Sequence, residues 1–136
     1  LDKMEIESLE QLAKQGDILA QSSLGRMYKN GDGVEKNPTE AIKWYKKAAE
    51  QDNVKAQLTL GEMYSVGVVV ETSLTEAIKW YKKAAEQGNV TAQCSLGSIY
   101  RYGGEVKNLT ESIKWYKKAA EQGNEEAIKA LKSLEK

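Results

Sequence analysis

The chain has no histidine, no phenylalanine, a single cysteine (Cys94) and a single proline (Pro38). Without histidine there is no Ser-His-Asp or Cys-His catalytic arrangement. The usual zinc, haem and copper sites also lose their commonest ligand, so no metal, cofactor or catalytic residue is assigned. One cysteine makes no intramolecular disulfide and reveals no redox compartment. Twenty basic and twenty acidic residues give a formal net charge of zero, which argues against a general polyanion binder. No apolar run approaches the roughly 18 residues of a membrane span. No basic-then-apolar leader opens the sequence at Leu1, so any signal peptide is expected to have been removed already. What remains is 136 residues, 40% hydrophobic, enough for the packed core of one domain of ordinary size.

What is present is repetition, which decides the fold before anything else. TEAIKWYKKAAEQ occupies Thr39–Gln51 and recurs unchanged at Thr75–Gln87; TESIKWYKKAAEQ follows at Thr110–Gln122. A second element has the same period: Ala20, Leu24, Gly25 and Tyr28 recur as Ala56, Leu60, Gly61 and Tyr64, then as Ala92, Leu96, Gly97 and Tyr100. The third unit is one residue shorter between Val106 and Ser112, in a connection, where a deletion leaves helical register intact.

Each unit reads as two helices. At 100° per residue, Ala41, Ile42, Trp44, Tyr45, Ala48 and Ala49 cover an arc of roughly 160°, opposite Lys43, Lys46, Lys47 and Glu50. Asn37-x-x-Glu40, Ser73-x-x-Glu76 and Asn108-x-x-Glu111 match capping boxes, in which the Glu reaches back to the cap. Pro38 takes the first helical position, where its missing donor costs nothing. Gly16, Gly88 and Gly123 mark the stops, each followed by a residue able to cap the next helix (Asp17, Asn89, Asn124). Asp52 holds that glycine position in one unit, at a cost of about 1 kcal/mol if the left-handed conformation is kept. The first helix buries Ala20, Leu24, Met27 and Tyr28, with Gly25 permitting close approach of a neighbour. Glycine-containing loops follow: Gly31-Asp32-Gly33-Val34, Gly67-Val68-Val69-Val70 and Gly103-Gly104-Glu105-Val106.

Neither helix buries its apolar face alone, so the units must stack. Ile6, Leu9, Leu12 and Ala13 match the register of Ile78, Tyr81, Ala84 and Ala85, making Asp2–Gln15 a degenerate second helix. Ala127 and Leu131 match Ala92 and Leu96, with Lys132 in place of the glycine, making Glu125–Lys136 a polar-faced terminal cap. The expected fold class is all-α, a short α-solenoid of eight helices. Its units are 17–52, 53–88 and 89–123, between an N-terminal capping helix at 1–16 and a C-terminal one at 124–136.

The pattern A-x-x-x-L-G-x-x-Y-x-x-G-x-G-V followed by a capped A-x-x-W-Y-x-K-A-A-x-x-G resembles the Sel-one-like repeat (SLR) family, related to the tetratricopeptide repeats. The first unit departs from it only at Asp52, the second at Val69, and the third at Glu105 and Ser112. The resemblance spans roughly Asp17–Asn124 and implies a right-handed solenoid serving as an adaptor or scaffold rather than one particular activity. Such repeats occur in bacterial exported and virulence-associated proteins and in eukaryotic adaptors of membrane-protein turnover. The near-identical, Lys/Glu/Asn-rich units have a bacterial look. The compartment stays open between exported or periplasmic and cytoplasmic.

The resemblance further implies that first helices line the concave surface. The helical wheel then places on that groove Leu19, Ser22, Arg26, Lys29 and Asn30 of unit one, with Lys55, Leu58, Glu62, Ser65 and Val66 of unit two. Unit three contributes Thr91, Cys94, Ser98, Arg101 and Tyr102. No residue type repeats at any of these positions, whereas the exposed positions of the second helices are constant. That contrast reads either as a surface selected to recognise something or as second helices homogenised by duplication or held by packing. Four positive side chains against Glu62 give the groove a net charge of +3, with Leu19, Leu58, Val66 and Tyr102 interleaved. Lys129 extends the stripe and Glu126 offsets it. This suits a protein or peptide ligand with acidic residues, and Arg101 and Tyr102 are the leading anchors. A tetratricopeptide carboxylate clamp is not expected, because Ser22, Leu58 and Cys94 stand where its lysine belongs.

Other features have competing readings. Val68 and Val69 are either a secondary partner contact or fold back on their loop. Cys94 is either redox-active or, with no histidine to activate it, a passive groove contact. The Trp44, Trp80 and Trp115 ladder reads as packing. The repeated lysines, each triplet followed by a Glu four residues after its middle member, read as an exposed helix face rather than a nucleic-acid surface. Asn89-Val90-Thr91 and Asn108-Leu109-Thr110 match glycosylation acceptors, but both asparagines sit at caps. The leading function is a non-catalytic interaction module. The alternatives are a cell-wall or β-lactam-related hydrolase or binding protein, for which paired cysteines are missing, and a purely structural spacer.

Overall fold

A computed structural model describes residues 1–67 and 73–135. Its helices run α1 (Lys3–Lys14), α2 (Ile18–Asn30), α3 (Pro38–Glu50), α4 (Val54–Val66), α5 (Leu74–Glu86), α6 (Val90–Tyr102), α7 (Leu109–Glu121) and α8 (Glu125–Leu134), with a 3₁₀ turn at Gly104–Val106. Each helix packs mainly on its neighbours in sequence, and the pairs α2–α3, α4–α5 and α6–α7 are the most extensive. The chain is an all-α solenoid: chain order is spatial order, as expected when each unit buries its face only against the next.

Local chemistry sets the boundaries. Asp17, Asn53, Asn89 and Asn124 accept from the backbone N–H three residues on, each at 2.8 Å. At the second helices Asn37, Ser73 and Asn108 do the same for Glu40, Glu76 and Glu111. The reciprocal half of the expected capping box is not made. The N–H groups of Asn37, Ser73 and Asn108 instead donate to the carbonyls of Tyr28, Tyr64 and Tyr100, tying the end of each first helix to the start of the second. With the cap N–H already satisfied, Glu40 and Glu111 turn to Lys43 and Lys114, at 4.0 and 3.8 Å. The expected pairing of each middle lysine with the Glu four residues later is not among the ion pairs of the described residues. Lys46 leans over the Tyr64 ring and Lys82 over Tyr100 instead, at 5.8 and 6.0 Å from the centroids.

Asp52 keeps the left-handed conformation of the glycines it replaces, with φ 65°. The loop after α6 departs from the pattern. Gly31 and Gly67 end their helices with φ 78° and 65°, whereas Gly103 has φ −81° and the left-handed residue is Gly104. The shorter third unit absorbs its missing residue there, in the 3₁₀ turn.

Two devices join the helices. Within each unit the repeated glycine lies under the tyrosine of the second helix. A Cβ on Gly61 or Gly97 would lie 2.6 Å from Tyr81 or Tyr116, and on Gly25 3.0 Å from Tyr45. Between units runs a glutamine ladder. Buried Gln21, Gln57 and Gln93 donate to the carbonyls of Ala13, Ala49 and Ala85. Each also accepts, at 2.9 Å, from Gln51, Gln87 or Gln122 of the second helix that follows. The amides therefore satisfy backbone carbonyls at the ends of buried helices, groups that are costly to leave unpaired. Trp44, Trp80 and Trp115 are buried, which makes them packing. Lys43, Lys79 and Lys114 sit over those rings at 5.3, 4.7 and 5.0 Å from the centroids.

Candidate functional site

The first helices α2, α4, α6 and α8 share one face of the solenoid, and two clefts open between them. The cleft between α2 and α4 has a volume near 180 Å³; Leu19, Ser22, Ser23, Arg26, Lys55, Ala56 and Thr59 wall it and Tyr45 floors it. The α6–α8 cleft, near 330 Å³, extends across α6 to α4: Thr91, Cys94, Ser95, Ser98 and Ile99 line it with Asn124 and Glu126 on one side and Ser65 on the other, and Tyr81 floors its α4–α6 side. The floors follow from the close helix pairing. Each tyrosine lies against the glycine of its first helix, so it closes the gap between successive first helices from below. Burial raises the phenol pKa of Tyr45, with the Arg26 charge opposing it. Burial likewise raises that of Tyr81, against the pull of the Ser65 and Ser95 hydroxyls. Both rings therefore present neutral phenols.

The fifteen groove positions fall into three groups. Leu19, Arg26, Asn30, Lys55, Glu62, Val66, Thr91 and Tyr102 are exposed, with Leu19 at 77% and Tyr102 at 69%. Ser22, Lys29, Leu58, Ser65, Ser98 and Arg101 are half-buried. Cys94 alone is buried, at 8% exposure, packed with Tyr116, Ala119, Ala127 and Ala130. It borders the α6–α8 cleft but is covered by α8, which the wheel of α6 alone does not reveal. Burial, together with the charge and hydrogen bonding of Glu126, pushes its thiol up to about 11, so it stays protonated and unreactive at neutral pH. Val68 and Val69 lie outside the described residues.

Charge is unevenly spread along this face. Arg26 and Lys55 flank the α2–α4 cleft, whereas Glu126 enters the α6–α8 cleft, so the basic character is strongest at the amino-terminal end. Arg101 is partly committed: its Nη2 donates to Ser133 Oγ at 2.9 Å and its guanidinium lies 4.9 Å from the Tyr102 ring centroid. The pair is thus held in place, with the aromatic ring outermost. The Ser22 hydroxyl is buried and finds no partner among the described residues. Residue-by-residue reading missed the tyrosine floors, Ser95, and Asn53 and Asn124 beside the clefts. The signal was present in the strict pairing of each repeated glycine with a repeated tyrosine.

Among the described residues, no group of three or more Cys, Asp or Glu is placed to hold a metal ion, and no helix is long and apolar enough to cross a membrane. Stacked helix pairs with a varied, cleft-bearing first-helix face define a helical-repeat scaffold of the kind that typically mediates protein interactions. Residues 18–53, 54–89 and 90–124 each match the Sel1 repeat model, and the chain belongs to the Sel1 repeat family. It is similar to a Sel1 repeat protein from Oxalobacter formigenes, with 43% identity and a TM-score of 0.77 over 95% of this chain and 98% of that one. It also resembles a protective antigen present in uropathogenic Escherichia coli strains that displays an SLR fold. There the identity is 36% and the TM-score 0.80 over 98% of this chain, which spans only 29% of that protein. Helicobacter pylori cysteine rich protein B is 25% identical, with a TM-score of 0.65 over 93% of this chain and 96% of that one. No curated protein gives a significant match. Sel1 repeats are generally non-catalytic scaffolds.

Proposed function

We propose that this chain is a non-catalytic adaptor that holds a protein segment along its first-helix face. The ligand chemistry is an extended or helical peptide in which acidic residues alternate with apolar ones. The observation that carries the reading is the cleft between α2 and α4. Arg26 and Lys55 stand at a pocket walled by the exposed Leu19, floored by Tyr45 and holding the unpartnered Ser22 hydroxyl. An apolar side chain fits the pocket and a carboxylate answers the two cations. Tyr102, presented on Arg101, supplies a second anchor further along.

The contrast between constant second helices and varied groove positions contributes less than it first did. Lys43, Lys79 and Lys114 lie over buried tryptophans, and Lys46 and Lys82 over tyrosines, so packing gives several of them a reason to be constant. The reading therefore rests on the clefts. A hydrolytic role is less well supported: Glu62 is exposed, whereas acid–base catalysis uses carboxylates held in an apolar cleft. A cell-wall or β-lactam role has no support in this chain, because Cys94 is its single cysteine and the paired cysteines of such members are missing.

Fluorescence polarisation against a library of labelled peptides tests the reading. Peptides with spaced Asp or Glu and apolar residues are expected to bind. Their affinity should fall steeply between low and physiological salt, and about tenfold or more with Arg26→Ala/Lys55→Ala. Binding that ignores both salt and that variant would remove the groove assignment.

A further inference from the structure

The cleft that crosses α6 has the opposite charge to the cleft between α2 and α4, and the repeat shows how. Two repeat positions flank each gap between successive first helices. On the leading helix the corresponding residues are Arg26, Glu62 and Ser98; in the first turn of the trailing helix they are Lys55, Thr91 and Glu126. Arg26 and Lys55 both line the first cleft, and Ser98 and Glu126 both line the last. The same two positions thus supply two cations at one end of the face and a hydroxyl and a carboxylate at the other.

No described lysine or arginine lines the cleft across α6, and Glu126 is in none of the ion pairs of the described residues. Arg101, also on α6, is turned to Ser133 and Tyr102. The remaining polar lining is rich in hydroxyl oxygens, which accept as well as donate. Ser65 Oγ donates to the Glu62 carbonyl at 3.1 Å, which leaves its lone pairs for a ligand. The Ser95 and Ser98 hydroxyls are set beside the Tyr81 and Tyr116 phenols. A carboxylate among hydroxyl oxygens calls for a ligand that brings a positive charge and several donors. A guanidinium spreads five N–H donors over one plane, whereas an ammonium concentrates three on one atom. The cleft is near 330 Å³ and reaches from Ser65 on α4 to Glu126 on α8, so its spread acceptors suit the planar fork.

We infer that the cleft crossing α6 seats an arginine side chain of the bound protein segment, its guanidinium against Glu126 and the hydroxyls of α6. The inference rests on the adaptor reading for the segment itself and adds a polarity to it. The ligand's acidic residue lies at the Arg26 and Lys55 end of the face and its arginine at the α8 end.

Two arms keep the cleft and the adaptor reading apart. In the first, isotope-labelled protein is titrated with N-acetyl-arginine methylamide and with its neutral citrulline counterpart, and backbone amide shifts are followed by NMR. The arginine compound is expected to move the amides of Thr91, Ser95, Ser98 and Glu126, and the citrulline compound to leave them. Glu126→Gln should weaken the arginine compound about fivefold or more. Thr91→Lys, which puts a lysine where the repeat has Lys55, should do the same. Equal shifts from both compounds, no shift, or binding that survives either variant would overturn the inference. In the second arm, acidic and apolar peptides carry arginine or glutamine at successive positions on either side of the acidic core. One placement of arginine should bind about fivefold tighter than glutamine. Glu126→Gln should erase that gain while the dependence on Arg26 and Lys55 persists. Peptides that bind without any such gain overturn the inference and leave the adaptor reading standing. Binding of the arginine compound with no peptide binding removes the adaptor reading and keeps the guanidinium seat.

Discussion

Asp52 carries strain that its counterparts do not. It sits at φ 65°, and Gly16, Gly88 and Gly123 at the same register have nothing within 4 Å of a built Cβ, so conformation rather than space sets the cost. Asp52→Gly is expected to stabilise the fold by about 0.5–1 kcal/mol, read as a rise of a few degrees in Tm. No change would mean that Asp52 has gained a compensating bond. Cys94 gives a test through pH. Its thiol is raised from 9.0 to about 11 in the folded chain, so the folded state keeps the proton longer than the unfolded one. The stability this contributes is complete below pH 9 and is lost as pH rises towards 11. Alkylation of the native chain should therefore be slow at pH 8, accelerate only above pH 10, and become fast at pH 8 once the chain is unfolded. Equal rates in the two states would place the thiol in solvent. The helical wheel puts Cys94 on the first-helix face but does not show its burial, which depends on α8, a contact outside any single wheel.

At the scale of elements, the repeated glycines are graded. Gly97→Ala and Gly61→Ala drive a Cβ into a tyrosine ring at 2.6 Å, whereas Gly25→Ala meets its ring at 3.0 Å. Alanine gains about 1 kcal/mol of helix propensity over glycine, against about 1–3 kcal/mol for an overpacked core. Urea denaturation should show Gly97→Ala and Gly61→Ala clearly destabilised and Gly25→Ala close to neutral. The reverse order would contradict the pairing geometry. Helix positions and caps were legible because Asn37, Asp17 and Gly88 act through neighbours a few residues away. The full capping box was misread because the competing acceptor for the Asn37 N–H, the Tyr28 carbonyl, comes from the preceding helix. The glutamine ladder escaped for a related reason. Gln21, Gln57 and Gln93 repeat faithfully, but a polar residue on a buried face finds its meaning only when the fold brings it the carbonyl of Ala13, Ala49 or Ala85 from the preceding helix and the amide of Gln51, Gln87 or Gln122 from its own unit.

For the whole molecule, the composition that sums to zero charge is spatially sorted. Lysines stack on the buried aromatics of the second helices, while arginine and lysine flank the amino-terminal cleft of the first-helix face. The all-α solenoid was legible from the repeat period, whereas assigning charge to the first-helix face took the family resemblance as well. The clefts were not, because each is assembled from more than one unit and floored by a tyrosine from a second helix. The most direct measurement is capture of partners from the native cell with three baits: the wild type, an Arg26/Lys55/Arg101/Tyr102 alanine variant, and an outer-face Lys43/Lys79/Lys114 alanine variant. If the first-helix face is the binding surface, proteins held by the wild type are retained by the outer-face variant and lost from the groove variant. Equal retention of the same proteins by all three would contradict it.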